Sequence, residues 1–237
     1  GLDKNANAIG KYFCDKFYQI SDGKSKDYIE TLVNVVKKEK ISLIIPASDE
    51  EALKVSKNKN IFDKLKVRIA CTDYKTLKIL NDKEKTYKFL EENGYNLANW
   101  TVTKTETDLI LKVKDFYKKF GAVVIKPASG RGGRDVFFVN KKNRKQKTEE
   151  SKNTTFNGIN DFIKRFNNFT FPKKCIVMEK LKGPVCDIDM LSWNGTAVSV
   201  ICRRRIHENF PNQGHKIIED KKLINLGKKI INDFKLS

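Results

Sequence analysis

Val123-Val124-Ile125-Lys126-Pro127-Ala128-Ser129-Gly130-Arg131-Gly132-Gly133-Arg134-Asp135-Val136 is the most informative run in this chain. A β-branched apolar segment brings a lysine to its end, a loop with one serine and three glycines follows, and strand-forming residues resume through Val139. Glycine backbones tolerate positive φ and let N–H groups approach phosphate oxygens, and a lysine at the strand end adds a fixed positive charge. Such a loop can wrap a polyphosphate, so the question becomes which nucleotide-binding architecture contains it.

Two familiar phosphate loops are excluded by context. A P-loop requires a glycine, four residues and then Gly-Lys-Ser/Thr between strand and helix. Gly23-Lys24-Ser25 lacks the upstream glycine and lies among polar residues, which reads as a surface turn. A dinucleotide fingerprint requires G-x-G-x-x-G opening a helix, whereas Gly130-Arg131-Gly132-Gly133 runs into strand formers from Asp135 to Val139. The glycine loop therefore joins strand to strand, and flexibility is expected of it.

At 237 residues the chain holds one large or two small domains, enough to bury roughly 70% of its unfolded surface. It starts at Gly1-Leu2-Asp3, which reads like the interior of a fold, and stops three residues after Phe234 on a helical pattern, so a fragment is expected. Lys+Arg 48 against Asp+Glu 29 gives +19, which invites a nucleic-acid reading. The lysines are spread through every segment and aromatic residues do not interleave with them on one stripe. A bias toward Lys, Asn and Ile accounts for the charge at least as well, and a nucleic-acid partner is not favoured. The positive field still attracts anionic ligands such as nucleotides. Cys14, Cys71, Cys175, Cys186 and Cys202 are scattered, odd in number and never form C-x-x-C, as expected of reduced thiols in the cytoplasm. No apolar run approaches the roughly 20 residues of a membrane span and no signal peptide is visible, so no membrane partner is expected.

Along the chain, Ile29, Leu32, Val33 and Val36 mark an amphipathic helix over 28–39. Residues 41–46 read as a buried strand feeding a helix through Lys57, with Ser48 and Asp49 as its cap or as groups at a ligand-binding sheet edge. A further strand at 67–71 completes a parallel α/β unit. Helices are expected over 74–80, over 83–93 with Gly94 closing it, and over 107–120 after a short strand at 100–102. Residues 140–155 lack a hydrophobic period and read as a mobile charged loop. A helix around Ile159, Phe162, Ile163 and Phe166 precedes strands at 174–179, 186–192 and 196–206, the last two joined by a hairpin at Asn194-Gly195. Leu223, Leu226, Ile230 and Phe234 mark a closing helix, and His207 and His215 read as ordinary loop residues without metal-ligand spacing.

A small α/β unit, a helical segment, a lysine strand with a glycine hairpin and then Met178-Glu179-Lys180-Leu181 resemble, in that order, the ATP-grasp superfamily. Within it the chain is similar to the carbamoyl-phosphate synthetase large subunit and to stand-alone carboxylate–amine ligases. The implied fold class is α/β, in the α+β grasp form. Residues 1–72 would be a Rossmann-like pre-ATP-grasp domain lacking its first strand. Residues 73–237 would be an ATP-grasp domain, divided into a helical segment 73–120, a lid 121–178 with an antiparallel sheet, and the truncated start of a C-terminal subdomain, 179–237.

Site residues follow from the resemblance position by position. Asn81-Asp82-Lys83, with Gly94 after it, matches the family's Asp-Lys pair opening a helix, which makes Lys83 a phosphate-binding lysine. Lys126 matches the lysine of the lid's central strand that touches the α- and β-phosphates. Ser129, Gly130, Gly132 and Gly133 match the loop that folds over the β- and γ-phosphates, and Glu179, Lys180 and Leu181 the linker that reads adenine through its backbone. Relatives hold the ribose with a glutamate two residues after the linker glycine, but Gly183 is followed by Pro184 and Val185. Asp187 is the substitute on the same strand face, with Asp189 beside it. Arg203 and Arg205 share a strand face and can take a substrate carboxylate or the transferring phosphoryl group, or else pair with Asp187 and Asp189.

The resemblance implies ATP-dependent activation of a small carboxylate as an acyl phosphate and its attack by an amine or ammonia, with Lys126, Lys83, Arg205 and Arg203 as catalytic residues. Mg2+ is the implied partner of ATP. Its family ligands, an acidic residue and a Glu-x-Asn pair, would lie beyond Ser237, so no metal ligand is assigned and the fragment alone is expected to be inactive. A homodimer is compatible with the family. Two alternatives stay open: a nucleotide-binding or regulatory grasp domain without catalysis, for which Val185 is mild support, and a basic nucleic-acid-binding protein.

Overall fold

The computed structural model describes residues 1–130, 135–141, 154–207 and 213–236. The chain divides into two compact units, one gathering Gly1–Lys78, Ser192–Val198 and Ile230–Ser237, the other Ile79–Leu191 and Ser199–Lys229.

In the first unit β1 (Leu2–Asp3) runs parallel to β2 (Tyr18–Gln19). The helix α1 (Tyr28–Glu39) buries Tyr28, Leu32 and Val36, four residues apart and hence on one face. It stops where Lys40 turns left-handed at φ 52. Next come β3 (Leu43–Ile44), α2 (Asp49–Lys57), α3 (Lys59–Lys64) and β4 (Arg68–Ile69), with β3 and β4 paired in parallel as the sequence predicts. Ser48 caps α2 by accepting from Glu51 N–H at 3.4 Å, and Glu51 reaches back to Ala47 N–H. Ser48 thus acts as a helix cap. A core of Ile20, Tyr28, Leu32, Val36, Ile44, Val55, Phe62 and Val67 holds these elements together. The expected buried strand over 41–46 is corrected: it shrinks to two residues, and Ile45 is 72% exposed. Among the described residues β3 has β4 as its sole strand neighbour, so its apolar run is covered on part of its surface alone.

The helix α4 (Tyr74–Leu80) leads to the second unit, which begins with α5 (Lys83–Glu92), β5 (Trp100–Thr103), α6 (Glu106–Phe120) and β6 (Ala122–Pro127). Then follow β7 (Phe137–Asn140), β8 (Thr154–Asn157), α7 (Ile159–Arg165) and β9 (Cys175–Glu179). The five strands form one sheet in the order β5-β9-β6-β7-β8. Every neighbouring pair is antiparallel except β7 and β8, so the sheet is antiparallel through its centre and parallel at one edge. The helices α6 and α7 cover one face around Leu109, Val113, Val123, Ile125, Val139, Phe156 and Phe162. In β6 the inward residues are Val123 and Ile125, both fully buried. Strand alternation therefore sends Val124 and Lys126 to the opposite face. The charged loop expected over 140–155 is corrected at both ends, because Asn140 closes β7 and Thr154 opens β8. Residues 142–153 of that expected loop lie outside the described residues.

The remaining elements are β10 (Cys186–Trp193), β11 (Thr196–Arg205), β12 (His215–Ile218) and α8 (Lys221–Phe234). The three strands form a sheet in the order β10-β11-β12, and Asn194 and Gly195 both take positive φ, 49 and 77, at the predicted hairpin. A side chain at Gly227 of α8 would meet Val200 at 2.8 Å, so glycine is what permits this close approach of helix to strand. His215 departs from the loop reading: it lies in β12, paired with Arg205 of β11. No helix among the described residues is long and apolar enough to cross a membrane.

Candidate functional site

Lys126 sits at the end of β6, on the sheet face away from α6 and α7. Its ammonium Nζ donates to Tyr87 Oη at 2.5 Å and lies 5.1 Å from the centre of the Tyr87 ring. Tyr87 comes from α5, one helical turn after Lys83, so the two share a helix face. The Tyr87 ring meets Trp100 of β5 edge-on at 5.1 Å, and its hydroxyl points toward Met178 Sδ of β9 at 3.8 Å. Trp100 is itself anchored, its Nε1 donating to Glu91 at 2.7 Å.

The start of α5 is stitched to the glycine loop. Asp82 caps the helix by accepting from Glu84 N–H at 3.0 Å and Lys85 N–H at 3.3 Å. The Lys83 amide donates to the Ala128 carbonyl at 2.8 Å, Asp82 and Ser129 form an antiparallel bridge, and Ala128 N–H donates to Lys174 O at 3.0 Å. Lys83 Nζ donates to the Gly130 carbonyl at 2.8 Å. Gly130 takes φ +119, a conformation side-chain-bearing residues rarely adopt, so the loop's exit from the β6 strand depends on glycine there. Ser129 and Gly130 are exposed. Gly132 and Gly133, with Arg131 and Arg134, lie outside the described residues.

A second cationic anchor, absent from the sequence reading, is Lys174, which pairs with Glu84 and approaches Asp82 at 4.0 Å. Glu84 also accepts from Lys88 at 2.7 Å. The Lys174 ammonium beside it, then that of Lys88, pulls the Glu84 carboxyl from its ordinary 4.5 down to about 2. A carboxyl depressed in the fold adds stability that is present above its ordinary value and lost as pH falls toward the folded value. Acid denaturation is therefore expected to steepen between pH 4.5 and about 2, where Glu84 titrates. Glu84→Gln should flatten that limb in urea melts taken across this window; an unchanged limb would refute the coupling.

At the exit of β9, Glu179 uses its carboxylate locally. Its Oε1 accepts from Asn99 N–H at 2.7 Å and Asn99 Nδ2 at 2.8 Å, contacts that lower its pKa, and its own N–H donates to Asn99 O at 3.0 Å. The Lys180 amide donates to Ala122 O at 3.2 Å, while Leu181 is 64% exposed. The side chain of Glu179 thus braces the strand ends, and the chain beyond it opens to solvent.

Asp187 and Arg205 form a two-point ion pair, Nε to Oδ2 and Nη2 to Oδ1, each 2.8 Å. His215 Nε2 lies 3.1 Å from the same Oδ2. The Arg205 guanidinium, and behind it His215, draws the Asp187 carboxyl down to about 2. Arg203 pairs with Asp189 at 2.9 Å. Of the two sequence alternatives for these arginines, cross-strand pairing is the geometry observed. His215 is thereby corrected from loop residue to a half-buried member of this cluster, because β12 places it beside Arg205. His207 stays in a bend after β11. Among the described residues no group of three or more His, Cys, Asp or Glu side chains could hold a metal ion.

The structure thus brings Lys83, Lys126, Ser129 and Gly130 around one loop start and adds Tyr87, Glu84 and Lys174, which the sequence reading missed. The spacing of Lys83 and Tyr87 was the available signal, since residues four apart on a helix are neighbours.

This arrangement of lysine strand, glycine loop and capped helix with a five-stranded sheet is the ATP-grasp fold. Residues 1–70 match the family described as PylC-like, N-terminal domain, and residues 75–188 the family described as YheC/D like ATP-grasp. The chain thus has the ATP-grasp fold, with residues 75–188 similar to one of its families. No curated protein matches its sequence. Among solved structures it is similar to the biotin carboxylase domain of Hydrogenobacter thermophilus 2-oxoglutarate carboxylase, solved with MgADP, ADP and bicarbonate. There the identity is 14%, the TM-score 0.63, and the match covers 97% of this chain and 50% of that one. N5-carboxyaminoimidazole synthetase from Staphylococcus aureus, complexed with ADP, matches at 15% identity and TM-score 0.62 over 98% of this chain and 55% of that one. D-alanine–D-alanine ligase from Bacillus anthracis, complexed with ATP, matches at 18% identity and TM-score 0.55 over 94% and 67%. The chain spans about half the length of the first two.

Proposed function

We propose that this chain is the ATP-binding portion of an ATP-dependent carbon–nitrogen ligase, carbamoyl-phosphate synthetase-like in using an acyl-phosphate intermediate. In this reading residues 1–72 are the pre-grasp domain and 73–237 the grasp domain, and five free cysteines support a reducing, cytoplasmic setting. The observation that carries it is the stitching of Lys83 to the Gly130 loop that Lys126 precedes, which gathers two cations and a glycine backbone at one point.

The γ-phosphoryl group would pass from ATP to a carboxylate oxygen, breaking the bond to ADP. An amine or ammonia nitrogen would then attack the acyl carbon, expel inorganic phosphate and lose a proton. The chain's share is positioning and charge neutralisation: Lys126 and Lys83 offset the phosphate charge, Ser129, Gly130, Gly132 and Gly133 donate from the loop, and Glu179, Lys180 and Leu181 frame the base. Asp187 would serve the ribose and Arg203 and Arg205 the acceptor after giving up their mutual pairs. The described residues do not form a Mg2+ site, and no step is assigned to the metal.

A thermal melt tests the reading. With Mg-ATP at a hundred times its Kd, linkage adds about 2.7 kcal/mol, a rise of about 5–10 °C for a chain of this size. No rise with Mg-ATP, together with salt-steep affinity for generic duplex DNA, would replace this reading with nucleic-acid binding. ATP binding in a full-length protein that forms no acyl phosphate would favour the non-catalytic grasp domain, for which Val185 in place of a ribose-binding glutamate speaks.

A further inference from the structure

We infer that Tyr87 is a phosphate-binding residue of the same site, its hydroxyl donating to the phosphate oxygen that Lys126 neutralises. This rests on the ATP reading above and adds to it a group from outside the glycine loop and the lysine pair.

The hydroxyl is half used. Its oxygen accepts from Lys126 Nζ, while its own proton has only Met178 Sδ, at 3.8 Å, among the described residues. A thioether is a weak acceptor and a phosphate oxygen a strong one. Because the Tyr87 oxygen and the Lys126 nitrogen are 2.5 Å apart, an anion seated on the ammonium comes within reach of the phenolic proton. The donor is also held in place. Trp100 holds one side of the ring edge-on, and the Trp100 indole is tied to Glu91. The Lys126 ammonium meets the ring at its hydroxyl end. A hydroxyl on a ring fixed in this way loses little freedom when it engages a ligand. Its helix supplies the final element: one turn earlier Lys83 reaches Gly130, so α5 presents an ammonium and a phenol toward the start of one loop.

The ligand class is a nucleoside di- or triphosphate, recognised through its phosphates. Tyr87→Phe removes the hydroxyl and keeps the ring and its packing on Trp100. Affinities of wild type and Tyr87→Phe for ATP, ADP and adenosine, measured by calorimetry on the whole chain, separate binding from packing. The expected result is a loss of about tenfold for ATP and ADP, the scale of one hydrogen bond to a charged group, with adenosine affinity and ligand-free melting temperature unchanged. Equal affinity of variant and wild type for ATP would overturn this inference and leave the proposed function standing. An equal loss for adenosine and ATP would assign Tyr87 to packing alone and overturn it too. A wild type that binds no nucleotide would sink both.

Discussion

Lys126→Met is expected to weaken ATP binding about a hundredfold while leaving the ligand-free fold intact. Methionine keeps the unbranched stem, and the neighbours that hold β6 in the core, Val123 and Ile125, point to the other face and are untouched. What disappears is the ammonium, the only cation on β6, together with its bond to Tyr87. A hydrogen bond to a charged group contributes about 1.5–3 kcal/mol, and a hundredfold change in Kd is about 2.7 kcal/mol, so the expected loss sits near the top of that range. Calorimetric titration of variant and wild type, with thermal melts of both without ligand, measures it. An unchanged Kd for ATP would remove Lys126 from the site and with it the proposed function.

Phe162→Ala should destabilise the unit that holds the five-stranded sheet by about 3–5 kcal/mol. Phe162 is fully buried and meets Phe156 at 5.2 Å, Phe166 at 5.5 Å and Phe171 at 6.0 Å between ring centres. Three aromatic partners in different segments cannot all collapse into the space it leaves, so the cavity persists and its cost is added to the lost burial. Against a total stability of about 5–15 kcal/mol, this removes a large share. Urea denaturation should show a lower midpoint with an unchanged slope. A loss below about 1 kcal/mol would mean that the cluster repacks. Val123 and Ile125 belong to the same core, so loosening it also loosens the strand that carries Lys126.

Much of this architecture is legible in local sequence because local geometry writes it there. Leu32 and Val36 mark the inner face of α1 through a period of 3.6, Asn194-Gly195 marks a turn needing two positive φ values, and Val123, Ile125 and Lys126 separate by alternation into a buried and an open face. Such rules also misjudged segments. The apolar run at 41–46 reads as buried from composition, yet burial depends on a covering neighbour and Ile45 has little of one. His215 reads as loop from the polar residues around it, yet its pairing with Arg205 makes it strand.

The residue kinds of the proposed phosphate site, a lysine after a β-branched strand and a cluster of glycines, were present in the linear chain and were enough to point to the ATP-grasp fold. The partners of those residues were not. Tyr87 and Lys126 are 39 positions apart, His215 and Asp187 are 28 apart, and Glu84 of α5 meets Lys174 from the bend before β9. Periodicity reports which way a side chain faces within its own helix or strand, because backbone geometry repeats over a few residues. Which side chains then meet across segments is set by the order in which strands lie side by side, here β5-β9-β6-β7-β8, and that order exists only once the chain has closed on itself.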